Sequence, residues 1–264
     1  MDCDVKTAKV VFMEGRHSAA VAMFRALASE GDAEAAFHYA FCRLFGLGCQ
    51  VDESEAKSFF VFASGYYPEA FYNLSVMYMH GKGVPRDYVR SAQYMRDAAV
   101  GGVIEAQLYL GVAHTIGQLY EPDIIAISLI PYHTAIGADP TLLLDGDVTD
   151  FEREDDLRTR AVRFDPRAAF EWFRLAAKHS TDYVEELVSK GKFLYARCFV
   201  DGLGVDFDRD RANRLMLIAA DSGSEDALGY LTANAPYVLS ALENPEVLAK
   251  IYRAENLPPP SSED

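Results

Sequence analysis

The chain contains residues of the types that do chemistry, and their spacing decides what they can do. His17, His38, His80, His114, His133 and His179 show no His-Glu-x-x-His or other metal-holding pattern. Cys3, Cys42, Cys49 and Cys198 form neither a metal ladder nor the paired spacing of a disulfide framework. Asp145, Asp147, Asp150 and Glu152 alternate as in a calcium loop, but Asp150 stands where such a loop requires glycine. A solvated acidic loop is the plainer reading. The turns Gly46-Leu47-Gly48, Gly81-Lys82-Gly83 and Gly202-Leu203-Gly204 follow no strand and lead into no Gly-Lys-Ser/Thr, so they fail as nucleotide-binding loops. Glycine after a helix closes it through the left-handed conformation. No Ser or Cys lies in a nucleophile-elbow sequence. These residues therefore point to no catalytic centre, no metal and no cofactor.

Composition narrows the partners. Forty acidic residues against 25 basic ones give a formal charge of -15 over 264 residues. A surface of that sign repels phosphate backbones and anionic lipid heads, which argues against nucleic acid and membrane. The charged opening, Met1 to Lys6, does not read as a secretory signal, and the most apolar run, Ile124 to Ile130, is far short of the roughly 20 residues of a membrane span. A cytoplasmic protein with reduced thiols is the expectation.

The elements that position these residues come from an internal repeat. An Asp, a small residue four later, a large apolar one seven later and Ala eleven later recur as Asp52, Ala56, Phe59, Ala63; Asp87, Ser91, Tyr94, Ala98; Asp165, Ala169, Trp172, Ala176; and Asp208, Ala212, Leu215, Ala219. A degenerate copy is His17, Val21, Phe24, Ala28. These offsets share one helical face, with the Asp as N-cap and the large residue at position 7 expected to fill the gap between helices. A second helix precedes each copy: Ala36, Ala40, Phe41, Leu44; Ala70, Leu74, Ser75, Tyr78; Ala106, Leu110, Gly111, His114; and Gly191, Tyr195, Ala196, Phe199. The Asp-to-Asp spacing is 35 residues from Asp52 to Asp87, 78 across an insertion to Asp165, and 43 to Asp208.

Glu69-Ala70-Phe71-Tyr72-Asn73-Leu74, the Gly81-Lys82-Gly83-Val84 loop, Asp87 and Ala98-Ala99-x-Gly101 resemble the Sel-one-like repeat, a relative of the tetratricopeptide repeat. The resemblance implies an all-α, right-handed α-solenoid, a superhelix of about four to five antiparallel helix-pair repeats. Its members usually serve as adaptors or scaffolds. Some secreted bacterial relatives are linked to β-lactam binding or hydrolysis and carry paired cysteines that staple each helix pair. Cys42 and Cys49 instead lie on one helix and its closing loop, so that hydrolase branch is only an alternative, as is a self-associating structural protein.

The expected boundaries are a solenoid over residues 1–227, interrupted in its third clear repeat by residues 121–164, a helical cap over 228–256, and a disordered tail over 257–264. The apolar part of the insertion is expected to pack on the solenoid. Mapping one side of each first helix onto a concave groove brings His38, Tyr72, Leu108 and Phe193 to one level. Cys42, Val76, Val112 and Arg197 come to the next, and Phe45, Met79, Thr115 and Val200 to a third. Aromatic residues, Met and Arg are the types that anchor partner peptides. His38, Tyr72, Val76, Met79, Leu108, Phe193 and Arg197 are accordingly the expected contacts with a protein or peptide partner, in a non-catalytic adaptor.

Overall fold

The computed structural model describes residues 4–117, 119, 161–180 and 185–259. Among these residues the chain is all-helical. It runs α1 (Val5–Met13), α2 (His17–Ser29), α3 (Ala33–Phe45), α4 (Glu53–Ala63), α5 (Pro68–His80), α6 (Tyr88–Val100) and α7 (Ile104–Ile116). After the insertion come α8 (Pro166–Ala176), α9 (Glu185–Asp201), α10 (Arg209–Asp221), α11 (Glu225–Asn234), a 3-10 helix (Pro236–Glu243) and α12 (Pro245–Glu255). The described residues form two compact units, 4–106 with 119 and 161, and 107–117 with 162–180 and 185–259. In the first unit α1 to α6 pack against one another in sequence order, and in the second α8 to α11 do the same. Helices stacked in consecutive pairs are the build of a helical solenoid.

Asp87 shows how one pair is closed. Its carboxylate accepts from the Arg90 N–H at 2.9 Å and caps α6. Its own N–H donates to the Tyr78 carbonyl at 2.9 Å, tying that cap to the last turn of α5. Asp52 and Asp208 make both bonds, the first to Glu55 and Arg43, the second to Arg211 and Phe199. Asp165 accepts from Ala168 and donates to the His114 carbonyl, both at 3.0 Å.

The two glycines of the connecting loop do different work. Gly81, at φ 70°, is the left-handed cap of α5. Gly83 also has a positive φ of 64°, and a Cβ there would lie 2.6 Å from the Glu53 Cβ, against the first turn of α4. Gly48 meets the start of α2 at His17 and Ser18, and Gly204 meets the start of α8 at Pro166 and Arg167. The second glycine therefore seats the loop on the preceding repeat, a role beyond the helix closure expected from sequence.

The small residues at positions 4 and 11 are buried as expected: Ala56, Ala63, Ser91, Ala98, Ala169, Ala176, Ala212 and Ala219 all have zero exposure. Leu215 fills the gap at position 7 as expected, fully buried, but the other three copies differ. Phe60, Met95, Phe173 and Met216, at position 8, are buried, whereas Phe59, Tyr94 and Trp172, at position 7, are only half-buried. At about 100° per residue, positions 7 and 8 flank the face defined by 4 and 11 about equally on its two sides, so the neighbouring helix decides which is covered. At position 7 Tyr94 stacks on Phe71 and Tyr78, and Phe59 meets the Tyr39 ring edge-on. The degenerate copy shifts with this correction. Arg16, not His17, precedes α2 at the N-cap, without a side-chain bond, and Ala20, Phe24 and Leu27 are its buried positions 4, 8 and 11.

At the C-terminal side, α12 is fastened to α10 through Glu255, whose side chain is 3% exposed and which pairs with Arg211 at 2.9 Å and Arg214 at 2.8 Å. Lys192 of α9 is fully buried, donating to Ser222 Oγ at 2.8 Å and to the Pro258 carbonyl at 3.3 Å. Burial lowers its pKa to about 8, opposed by Asp221. Packed contacts thus continue past the expected start of the tail, since Leu257 is buried, while residues 260–264 lie outside the described residues. Of the expected insertion only residues 161–164 are described, so its packing also falls outside them.

Candidate functional site

The expected partner-binding residues can be placed by counting back from the left-handed glycine that closes each first helix, Gly46, Gly81, Gly117 or Gly202. Nine positions back stand Phe37, Tyr72, Leu108 and Phe193; five back, Phe41, Val76, Val112 and Arg197; two back, Leu44, Met79, Thr115 and Val200. The α3 members expected from sequence, His38, Cys42 and Phe45, are therefore displaced by one residue. A one-residue step turns a helical side chain by about 100°, which points His38 elsewhere. Its ring lies 5.1 Å from that of Phe24 on α2, and its Nε2 is 3.7 Å from Glu34 Oε1. Burial, with help from Lys9, pushes the His38 imidazole down to about 4 against the opposing pull of Glu34. His38 is a neutral core residue.

Exposure separates the remaining positions. In the first unit Tyr72 and Met79 are 1% exposed, Phe41 and Leu44 are buried, and Val76 is half-buried. In the second unit Leu108 is buried, Val112, Thr115, Phe193 and Val200 are half-buried, and Arg197 is exposed. Phe193 and Arg197 are four residues apart, one turn along the same face of α9. Arg197 forks onto Asp201, with nitrogen–oxygen distances of 2.8, 3.0 and 3.1 Å. An exposed pair of this kind is worth at most about 1 kcal/mol, so a partner carboxylate can replace it cheaply.

The other chemically capable side chains are engaged locally. His114 Nδ1 is 3.0 Å from the Arg163 carbonyl, and His179 Nε2 is 3.1 Å from Gln107 Oε1. Burial pushes the thiols of Cys42 and Cys198 up to about 12. Glu105 is 4% exposed, and its carboxyl is raised by burial and then by Glu69. No spacing in the sequence marks Glu105 or Lys192 as buried charges. Among the described residues no three His, Cys, Asp or Glu side chains form a group that could hold a metal ion, and no helix is long and apolar enough to cross a membrane. The acidic loop at Asp145 to Glu152 and His133 lie outside the described residues.

No curated protein matches the chain. Crystal structures similar to it include the following two. One is a Sel1 repeat protein from Oxalobacter formigenes, at 18% identity, covering 100% of this chain and 99% of that one, with a TM-score of 0.43. The other is a protective antigen present in uropathogenic Escherichia coli strains, displaying an SLR fold, at 16% identity, covering 99% and 65%, with a TM-score of 0.39. The Sel1 repeat family model matches residues 33–64, 68–102, 104–126, 160–180 and 189–224. These matches follow the helix pairs built above, including the pair divided by the insertion. Since they span more than half of the sequence, the chain belongs to the Sel1 repeat family.

Proposed function

We propose that this chain is a non-catalytic adaptor that holds a peptide or protein partner on the face of α9 bearing Phe193 and Arg197. Sel1 repeat proteins are generally protein-interaction scaffolds. The observation that carries the finer reading is the half-exposed Phe193 ring one turn from the exposed Arg197 guanidinium, beside the half-buried Val200. Phenylalanine and arginine are both enriched at interfaces, and arginine is among the residues that dominate binding energy. Tyr72, Met79 and Leu108 belong to the same register but have almost no surface to offer. Their contribution is to stiffen the first helices, and Val76 is a secondary contact. The cytoplasm remains the proposed compartment, on composition alone.

The test is affinity capture from an extract of the source cells, comparing wild type with Phe193→Ala/Arg197→Ala at matched helicity and melting temperature. A partner retained by wild type and reduced about tenfold or more by the double variant, the loss expected for residues worth 1–2 kcal/mol each, supports the proposal. A partner held equally by both moves the binding surface off α9.

A further inference from the structure

Cys42 and Cys49 form the one pair of thiols that the described residues bring to a single turn. Cys42 is on α3, 1% exposed, and Cys49 is half-buried in the loop that closes that helix. The loop folds back tightly. The Leu47 N–H donates to the Cys42 carbonyl at 3.0 Å, and the Cys49 thiol reaches the same carbonyl at 3.4 Å. The Asp52 N–H, bonded to the Arg43 carbonyl at 2.9 Å, fixes the far end of the loop.

The surroundings of the two sulfurs are unequal. Cys49 lines a cavity of about 480 Å³ together with Ser18, Ala22, Arg25, Tyr39 and Arg43. Arg43, on the same cavity wall, pairs with Asp52 at 3.0 Å and with Glu55. Arg25 adds a second guanidinium at the cavity wall, with no carboxylate partner among the described residues. Cys49 is the sulfur that a peroxide entering the cavity can reach. Cys42 is 1% exposed and lines no part of that cavity, so the first step belongs to Cys49 and Cys42 can enter only second.

We infer that Cys49 and Cys42 are a peroxide-responsive thiol pair, Cys49 taking the oxidant through the cavity and Cys42 resolving it as a disulfide within the closing loop of α3. In the first step Cys49 sulfur attacks one oxygen of a hydroperoxide. The O–O bond breaks, Cys49 becomes a sulfenic acid, and the other oxygen leaves with the thiol proton as water or an alcohol. In the second step Cys42 sulfur attacks Cys49 sulfur. The S–O bond breaks and the hydroxyl leaves with the Cys42 proton as a second water. Two thiols are oxidised by two electrons and one hydroperoxide is reduced. The disulfide withdraws Cys49 from the cavity wall beside Arg43, so the state of the pair is written into the surface between α2 and α3.

The test treats the folded full chain with one equivalent of hydrogen peroxide, blocks remaining thiols with N-ethylmaleimide and digests with trypsin. Cleavage after Arg43 separates the two cysteines, so their disulfide joins the peptides of residues 26–43 and 44–57. The expected result is that linked peptide in wild type, its absence in Cys49→Ser, and a dimedone-trapped sulfenic acid on Cys49 in Cys42→Ala. Cys198, buried at 1% exposure, should react about tenfold more slowly or less in the same sample. Cys49 oxidising no faster than Cys198 would overturn the inference. So would Cys49 passing to sulfinic acid in wild type with no linked peptide. Cys49→Ser changes a half-exposed loop residue and leaves the buried thiol in place, so loss of the linkage there is not a folding defect.

Discussion

Single residues in this fold carry charge into the interior only where local geometry fixes their state. Near the end of the first helix the same contact with the second is made three ways. Arg43 pairs with Glu55, the Arg90 guanidinium lies 5.0 Å from the Tyr78 ring centroid, and that of Arg211 lies 4.6 Å from the centroid of Phe199. The guanidinium comes from the first helix at Arg43 and from the second at Arg90 and Arg211, and a carboxylate or a ring opposite it serves in each case. His38 gives the sharpest residue-scale prediction. Folded, its pKa is about 4, and unfolded it returns to 6.5. Between these values the unfolded chain binds the extra proton, so stability is full above about pH 6.5 and falls as pH drops toward 4. The loss is on the order of 2–3 kcal/mol. Urea unfolding at pH 7.5 and 4.5 should show this difference in wild type and a smaller one in His38→Gln. Equal pH dependence in the two proteins would mean that His38 is not buried neutral.

At the level of elements, the repeat was legible where chemistry is invariant and obscure where only packing decides. Every repeated Asp is an N-cap, and every first glycine of a pair is a left-handed cap, because few residue types can do either job. Position 8 was missed because positions 7 and 8 are both large and apolar in most copies, and the approach of the neighbouring helix alone decides which is buried. The one-residue displacement at His38 has a related cause. Ala35 and Ala36 are both small, and only the distance to Gly46 fixes the register. The second glycine was invisible as a stacking contact, since it touches a residue some 30 positions earlier in the chain. Two glycine substitutions separate these roles. Gly83→Ala places a Cβ against Glu53 at a positive φ and should cost about 2–3 kcal/mol, read as a lower melting temperature. Gly229→Ala, on α11 with open space around it, should raise the melting temperature by the equivalent of about 0.5–1 kcal/mol. Destabilisation of similar size by both would deny Gly83 its contact.

For the whole molecule, charge and exposure together set what it can hold. A net charge of -15 disfavours nucleic acid and anionic surfaces, while the Phe193 and Arg197 face offers a ring and a cation on a rigid helix. Helix pairing could be read from spacing, and the family from the resemblance of the repeat and loop residues, but which of the seven expected contacts remain accessible could not, because Tyr72 and Phe193 occupy the same register and differ in what surrounds them. The most direct measurement puts the photocrosslinker p-benzoyl-phenylalanine at position 193, and for comparison at exposed Val61, and irradiates each protein in extract of the source cells. The account predicts a discrete crosslinked protein from position 193 that is absent from position 61 and fades when Arg197→Ala is added. Equal labelling from both positions, or none from 193 while the intact chain still captures a partner, would contradict it.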